Sequence, residues 1–129
     1  MQPSALAEAR EWLTRADQDL QAAERLLQTP PPLPAIAAYH TQQAGEKALK
    51  AFLAAHNTPF RSTHNLLELL QACLALDPTF GPFTSAAQTL TPYATRFRYP
   101  GGPSVLPVTE AEEALDLAED LVRFVRGRL

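Results

Sequence analysis

Helical periodicity is the strongest constraint in this sequence, and it is most regular between Tyr39 and His56. His40, Gln43 and Lys47 recur at spacings of three and four, so they lie on one stripe of a helix. Apolar residues, many of them small, fill the neighbouring arc of the same helix: Ala44, Ala48, Ala51, Phe52 and Ala55. The pattern predicts a helix that other helices approach closely, with one polar stripe.

Prolines divide the chain into predicted helices. The first two helices are expected at about 4–28, with Ser4 as the N-cap, and from Pro34 or Ala35 to His56. The third ends near Leu76, and its N-cap is Thr63 or Asn65. The fourth is expected at about 83–97 with a kink or break at Pro92, and the fifth starts at a Thr109–Glu112 capping box.

Three single positions help to orient these helices. Glu46 and Lys50 form an i,i+4 pair in the favourable order, which predicts the solvent side of the second helix. Trp12 lies near the outer edge of the first helix, where we expect it to contact a neighbouring helix or a second subunit. Cys73 lies in an apolar helix and is predicted to be a small core residue.

Length and composition predict one globular domain spanning residues 1–129. Hydrophobic residues make up 46% of the chain and charged residues 19%, which excludes a disordered protein. No strand-like alternation competes with the helical pattern. We therefore predict an all-α, up-and-down bundle of four to five helices.

The sequence shows no membrane or export signal. No apolar run reaches the roughly 18 residues that a membrane helix needs. The first residues lack the basic and then apolar layout of a signal peptide. A cytoplasmic location is the resulting expectation, with no membrane partner.

The residue types and their spacing give little support for a metal-binding or cofactor-binding site. The histidines, His40, His56 and His64, form no His-x-x-x-His pair, and a single cysteine excludes a Cys-based zinc site. Phosphate-loop and dinucleotide fingerprints are missing from a chain with five glycines. We predict no metal site and no cofactor.

Three short blocks stand out, in this order: YHTQQAGEKALKA at 39–51, THNL at 63–66 and RYP at 98–100. Together they resemble the HEPN domain, a small α-helical family. Their order and spacing fit the family over nearly the whole chain. The resemblance implies a HEPN-like helical bundle.

The resemblance also implies a binding function. HEPN domains often accompany a minimal nucleotidyltransferase and are proposed to bind nucleotides or that enzyme, in some cases as a toxin–antitoxin pair. This chain has no nucleotidyltransferase signature, so the enzyme would be a separate protein. A homodimer with a cleft at its interface is expected, and the candidate ligand-binding residues are His40, Gln43, Lys47, His64, Arg98 and Tyr99.

Two structural interpretations of these residues remain open. His40, Gln43 and Lys47 would also serve as a hydrogen-bonded stripe inside a dimer interface. Arg98 would also serve in a structural turn, paired with a carboxylate such as Glu46. A dimeric scaffold without a small-molecule ligand is therefore one alternative function.

A metal-independent endoribonuclease toxin is the other alternative. HEPN ribonucleases carry an arginine followed after four to six residues by a histidine, and this chain lacks that motif. Arg61 is only three positions before His64, and no histidine follows Arg96 or Arg98. The missing motif argues against an enzyme, and the formal net charge of −3 does not favour RNA as a partner. If the protein cleaves RNA, His64 and Arg98 are the candidate catalytic residues.

Overall fold

Five α-helices make up the computed structural model, which describes residues 1–97, 100 and 105–129. They are Pro3–Gln28 (α1), Pro34–Ala55 (α2), Leu66–Leu76 (α3), Thr84–Leu90 (α4) and Val108–Gly127 (α5). Short 3₁₀ helices at Pro78–Phe83 and Thr91–Ala94 flank α4. The described residues contain no strand, and the predicted all-α bundle is confirmed.

α1 and α2 form an antiparallel pair, and α5 packs against both. Asn57 beyond the end of α2 hydrogen-bonds Gln2 before the start of α1, while the Leu33 N–H bonds the Leu26 carbonyl at the opposite end. α1 is amphipathic and buries one stripe, which consists of Ala5, Ala9, Leu13, Ala16, Asp19 and Ala23. In the described part of the chain, no helix is both long enough and apolar enough to cross a membrane.

α2 is the central helix of the bundle, because it contacts α1, α3, α4 and α5. Gly45 shows how closely the neighbours approach. A Cβ atom there would lie 3.2 Å from the Leu66 side chain, 3.5 Å from Leu90 and 3.6 Å from Leu121. The small residues of α2 thus allow three other helices to pack against it.

An aromatic cluster closes the core at one end of the bundle. The ring centroids of Phe52 and Phe80 are 4.5 Å apart, and those of Phe80 and Phe124 are 5.0 Å apart. Phe80 is fully buried although it lies in a 3₁₀ helix that follows Asp77. These edge-to-face contacts join α2, this 3₁₀ helix and α5.

The predicted N-caps of the first and last helices are wrong. α1 begins at Pro3, so Ser4 lies inside the helix, and α5 begins at Val108, so Thr109 lies inside it too. Neither helix has a side-chain cap. Proline sets the start of both helices. Pro3 suits the first position of α1 because it has no N–H that needs a partner. The Pro107 carbonyl accepts the first hydrogen bonds of α5.

The start of α3 and the end of α2 carry residues that ordinarily cap or terminate helices. Asn65 is the N-cap of α3, since its Oδ1 accepts a hydrogen bond from the Leu67 N–H at 3.0 Å. Thr63 supports the cap by accepting the Asn65 N–H. Asn57, just after α2, adopts a left-handed conformation with φ of 51°, as expected for a helix terminator.

The break predicted at Pro92 is present, and the α-helical part of the fourth helix is shorter than the expected 83–97. α4 ends at Leu90, and the chain continues as a 3₁₀ helix because Pro92 has no N–H to extend the α-helical bonding. Leu90, Tyr93 and Ala94 are buried, and Phe97 packs against the core.

Candidate functional site

Asp19 of α1 joins two of the predicted ligand-binding residues of α2. Its Oδ1 lies 2.8 Å from His40 Nδ1, and its Oδ2 accepts a hydrogen bond from Lys47 Nζ at 2.5 Å. Asp19 is 8% exposed, whereas the side chains of His40 and Lys47 are 29% and 23% exposed. One nearly buried carboxylate therefore holds an imidazole and an ammonium group at the edge of solvent.

The sequence analysis did not single out Asp19 as a site residue. A signal was present, because Asp19 is three residues after Ala16 and four before Ala23, on the buried stripe. An acid on an apolar stripe requires a partner, and here α2 supplies two. Gln43, the third predicted residue of the polar stripe, lies alongside and donates to the Gln42 side chain at 2.7 Å.

Glu46 is the centre of a second polar cluster. Its carboxylate accepts from Lys50 Nζ at 2.8 Å and from Gln42 Nε2 at 3.3 Å, and it lies 2.7 Å from His64 Nδ1. Burial by itself raises the pKa of Glu46, but the hydrogen bonds from Lys50 and His64 and the charge of Lys50 together lower it below its ordinary value.

The prediction that Glu46 and Lys50 mark the solvent side is wrong. Glu46 is 4% exposed and Lys50 is 8% exposed. The segment between α2 and α3 passes over this face of α2, where the His64 carbonyl accepts a bond from Gln42 at 2.9 Å. The pair is buried because a neighbouring loop covers it, which the periodicity of one helix does not reveal.

Lys50 is further enclosed by two aromatic rings. Its Nζ lies 5.5 Å from the centroid of the Trp12 ring and 5.7 Å from that of Phe60. Trp12 and Phe60 meet edge to face, with centroids 6.1 Å apart. Trp12 therefore contacts the neighbouring helix α2, which was one of its two predicted environments.

His64 is the most accessible member of the second cluster. Its side chain is 58% exposed while Nδ1 is held against the buried Glu46 carboxylate. Among the described residues, Nε2 has no hydrogen-bond partner. A histidine with one nitrogen oriented by a carboxylate and the other accessible is chemically able to transfer a proton.

Arg98 and Tyr99 lie outside the described residues. Their roles in ligand binding, and the pairing of Arg98 with Glu46, therefore stay predictions. The structure brings His40 and Lys47 together through Asp19. It connects Gln43 to His64 through Gln42 and the Glu46 cluster.

A groove of about 340 Å³ runs beside this site between α1 and α2. Its lining consists of Glu8, Glu11, Trp12, Arg15 and Lys47. Lys47 belongs both to the groove and to the Asp19 pair, so one of the predicted binding residues borders the groove.

Other reactive groups in the described part of the chain are not arranged for chemistry. Burial raises the pKa of Cys73 to about 12, so its thiol is not a nucleophile at neutral pH. Within residues 1–97, 100 and 105–129, no three His, Cys, Asp or Glu side chains are grouped to hold a metal ion.

Comparison with known proteins agrees with the resemblance seen in the sequence. The family model for the HEPN domain matches residues 9–128. The crystal structure of TT1696 from Thermus thermophilus is 35% identical, with a TM-score of 0.78, and the match covers 94% of this chain and 98% of that one.

A second structure shares the fold at lower identity. ST0689, an archaeal HEPN homologue, is 24% identical with a TM-score of 0.77 over 93% of this chain and 96% of its own. No curated protein matches the chain. Because the family model matches nearly the whole length of the chain, the protein belongs to the HEPN domain family.

Proposed function

We propose that this protein is a non-enzymatic binding module that takes up a nucleotide at the α1–α2 face and engages a separate nucleotidyltransferase. The observation that supports this most is the pair of donors, His40 and Lys47, held by the single carboxylate of Asp19. Their position beside a groove of about 340 Å³ supplies space for a small ligand.

The arrangement suits binding of a phosphate group. Lys47 Nζ has three N–H donors, of which the bond to Asp19 uses one. A protonated His40 donates from both ring nitrogens, so Nε2 can meet a phosphate oxygen while Nδ1 stays on Asp19. Because Asp19 already orients both side chains, little conformational entropy is lost when a ligand binds.

Calorimetric titration with ATP tests this proposal. We expect Lys47→Met to weaken binding by about tenfold, since it removes a charge-assisted hydrogen bond and keeps the aliphatic stem. Arg123→Met on α5 is the matched control, because it removes an exposed cation far along the chain from the site. Equal affinities in the wild type and Lys47→Met would contradict the proposal; circular dichroism checks that both variants are folded.

The proposal also includes a protein partner. This partner is either a second copy of the chain, in a homodimer, or the nucleotidyltransferase, in a cytoplasmic toxin–antitoxin pair. Apolar side chains at the start of α2, Leu33, Ile36 and Tyr39, are exposed to solvent, Ile36 by 49%. We expect Ile36→Lys to shift the protein toward a monomer in light scattering after gel filtration. Leu76→Lys, at a comparably exposed position on α3, should not. A monomeric wild type would rule out the homodimer and leave a heterologous partner.

A metal-independent endoribonuclease is the second candidate, and the Glu46–His64 pair is the observation in its favour. In such an enzyme His64 would transfer the proton and Arg98 would contact the phosphate. Purified protein with chelator is incubated with RNA beside His64→Ala and Arg98→Ala variants. Cleavage that both variants abolish would establish a ribonuclease, and no cleavage by the wild type would leave binding as the function.

A further inference from the structure

One face of α1 carries an acid, an aromatic ring and a cation in a line. Glu8, Trp12 and Arg15 are spaced by four and three residues, so they share this face. Seven residues at 1.5 Å per residue separate the first from the last by about 10 Å along the helix axis. The three side chains line the same groove, with Glu11 beside them and Lys47 contributed by α2.

Trp12 is held as a rigid platform within this line. Phe60 meets the ring edge to face, and Lys50 Nζ lies 5.5 Å from its centroid. The indole is partly buried and contributes to the wall of the groove. An aromatic ring fixed in this way is a stacking surface for a planar base, because every nucleobase has a π-face.

The end of the groove nearest Asp19 carries two cations, Arg15 and Lys47. Among the described residues Arg15 pairs only with Glu11, at 3.2 Å, and both side chains are exposed. An exposed pair of this kind contributes little stability, so a phosphate can replace the Glu11 carboxylate at little cost. Arg15 and Lys47 together would hold a phosphate one helical turn beyond a base stacked on Trp12.

The opposite end carries a carboxylate with unused acceptor capacity. Glu8 is exposed and has no hydrogen-bond or ion-pair partner among the described residues. An ionised carboxylate only accepts hydrogen bonds, and it accepts two in parallel from adjacent N–H groups. The Watson–Crick edge of guanine offers such a pair, N1–H and the 2-amino group. Adenine and cytosine place a donor beside an acceptor there.

We infer that this groove binds a guanine nucleotide whose base stacks on Trp12. The N1–H and 2-amino groups of the base donate hydrogen bonds to the Glu8 carboxylate, and the phosphate binds Arg15 and Lys47. The inference rests on the proposed nucleotide-binding function and defines both the base and its position. Lys47 is the residue that the groove shares with the Asp19 pair.

The chain contains one tryptophan, so intrinsic fluorescence reports on Trp12 alone. GMP and AMP are titrated into the full chain while Trp12 emission is recorded, and the same titrations are repeated by calorimetry. We expect both nucleotides to quench Trp12, and GMP to bind about tenfold more tightly than AMP because only guanine satisfies both acceptors of Glu8.

Matched variants separate the contacts. Glu8→Gln should reduce GMP affinity to the AMP level, whereas Glu24→Gln, further along α1, should leave the preference unchanged. Arg15→Ala should weaken GMP and AMP equally, by about tenfold, since it removes a phosphate contact, and Arg25→Ala is its control. By calorimetry, Trp12→Phe should retain binding and Trp12→Leu should lose it, because a phenyl ring still stacks.

The outcomes of these experiments distinguish the guanine-nucleotide inference from the proposed function on which it rests. Nucleotide binding in the calorimeter without a change in Trp12 emission, or with full affinity in Arg15→Ala, would overturn the inference and leave the proposed function standing. No heat with either nucleotide would overturn both. Quenching by an arginine-containing peptide but not by GMP would also overturn the inference, since the groove would then be a site for a cation.

Discussion

Replacing Glu46 with Gln tests whether the buried charge network holds α2, the loop before α3 and Trp12 together. The substitution keeps the shape of the side chain but removes the charge that faces Lys50 at 2.8 Å. Lys50 is 8% exposed, so its ammonium group would be left nearly buried without a counterion. The hydrogen bond to His64 Nδ1 would weaken as well.

The expected cost follows from the degree of burial. Removing one partner of a buried ion pair costs about 3–5 kcal/mol. We expect the lower end, about 3 kcal/mol, because Lys50 keeps the Trp12 and Phe60 rings as neighbours. For a chain of this length that corresponds to a fall in Tm of about 10 °C.

The assay is urea unfolding at pH 7, followed by Trp12 fluorescence and circular dichroism. Glu24→Gln is the matched control, since Glu24 is exposed and, in the described part of the chain, bonds only Gln28 of the same helix, and we expect it to cost less than about 0.5 kcal/mol. The double variant Glu46→Gln, Lys50→Met should recover much of the loss, because no charge is left buried. A cost below about 1 kcal/mol for Glu46→Gln would refute the reasoning.

The Glu46–Lys50 pair also predicts that the free energy of unfolding depends on pH. The folded-state pKa of Glu46 lies below its ordinary value of 4.5, so its contribution to stability is present at neutral pH. That contribution is lost as the pH falls through the folded-state pKa, since the proton must then be bound in both states. The difference in unfolding free energy between wild type and Glu46→Gln should therefore shrink below about pH 4.5. A difference that stays constant would contradict the assignment.

Three further predictions concern the core. Phe80→Ala should cost about 4 kcal/mol in urea unfolding, because Phe80 is fully buried among aromatic rings, and a loss below about 2 kcal/mol would contradict that packing. Cys73, whose pKa burial raises to about 12, should resist alkylation by iodoacetamide at pH 8 until urea unfolds the chain. Rapid labelling of the folded protein would show that the thiol is accessible. Burial, followed by the hydrogen bond to Glu110 at 2.6 Å, raises the pKa of Tyr93 to about 12, so Tyr93→Phe should remove a tyrosine that ionises near pH 12 in an absorbance titration.

The helices could be predicted because their causes are local. Apolar residues at the helical period determine which side of α1, α2 and α5 turns inward, and prolines determine where the chain must leave a helix. The same local rules misplaced the starts of α1 and α5, where proline chemistry prevails over the Ser4 and Thr109 caps. They also predicted the kink or break at Pro92, where α4 gives way to a 3₁₀ helix, but extended the fourth helix to about residue 97.

The candidate site was predictable only on the side that belongs to α2. His40, Gln43 and Lys47 were visible as a stripe because a single helix arranges them. Asp19, the partner of His40 and Lys47, is 21 residues from His40 and 28 from Lys47 in sequence, and only the packing of α1 on α2 brings it there.

The sequence by itself determined the helices, the family and the polar stripe of α2, since each depends on neighbours within a few positions or on short motifs. Tertiary structure decided that Glu46 and Lys50 are buried, that Asp19 holds His40 and Lys47, and that Trp12 borders a groove. The physical reason is that a helix pattern defines faces only relative to its own axis. Which neighbour covers each face is set by how all the elements pack to fill one core.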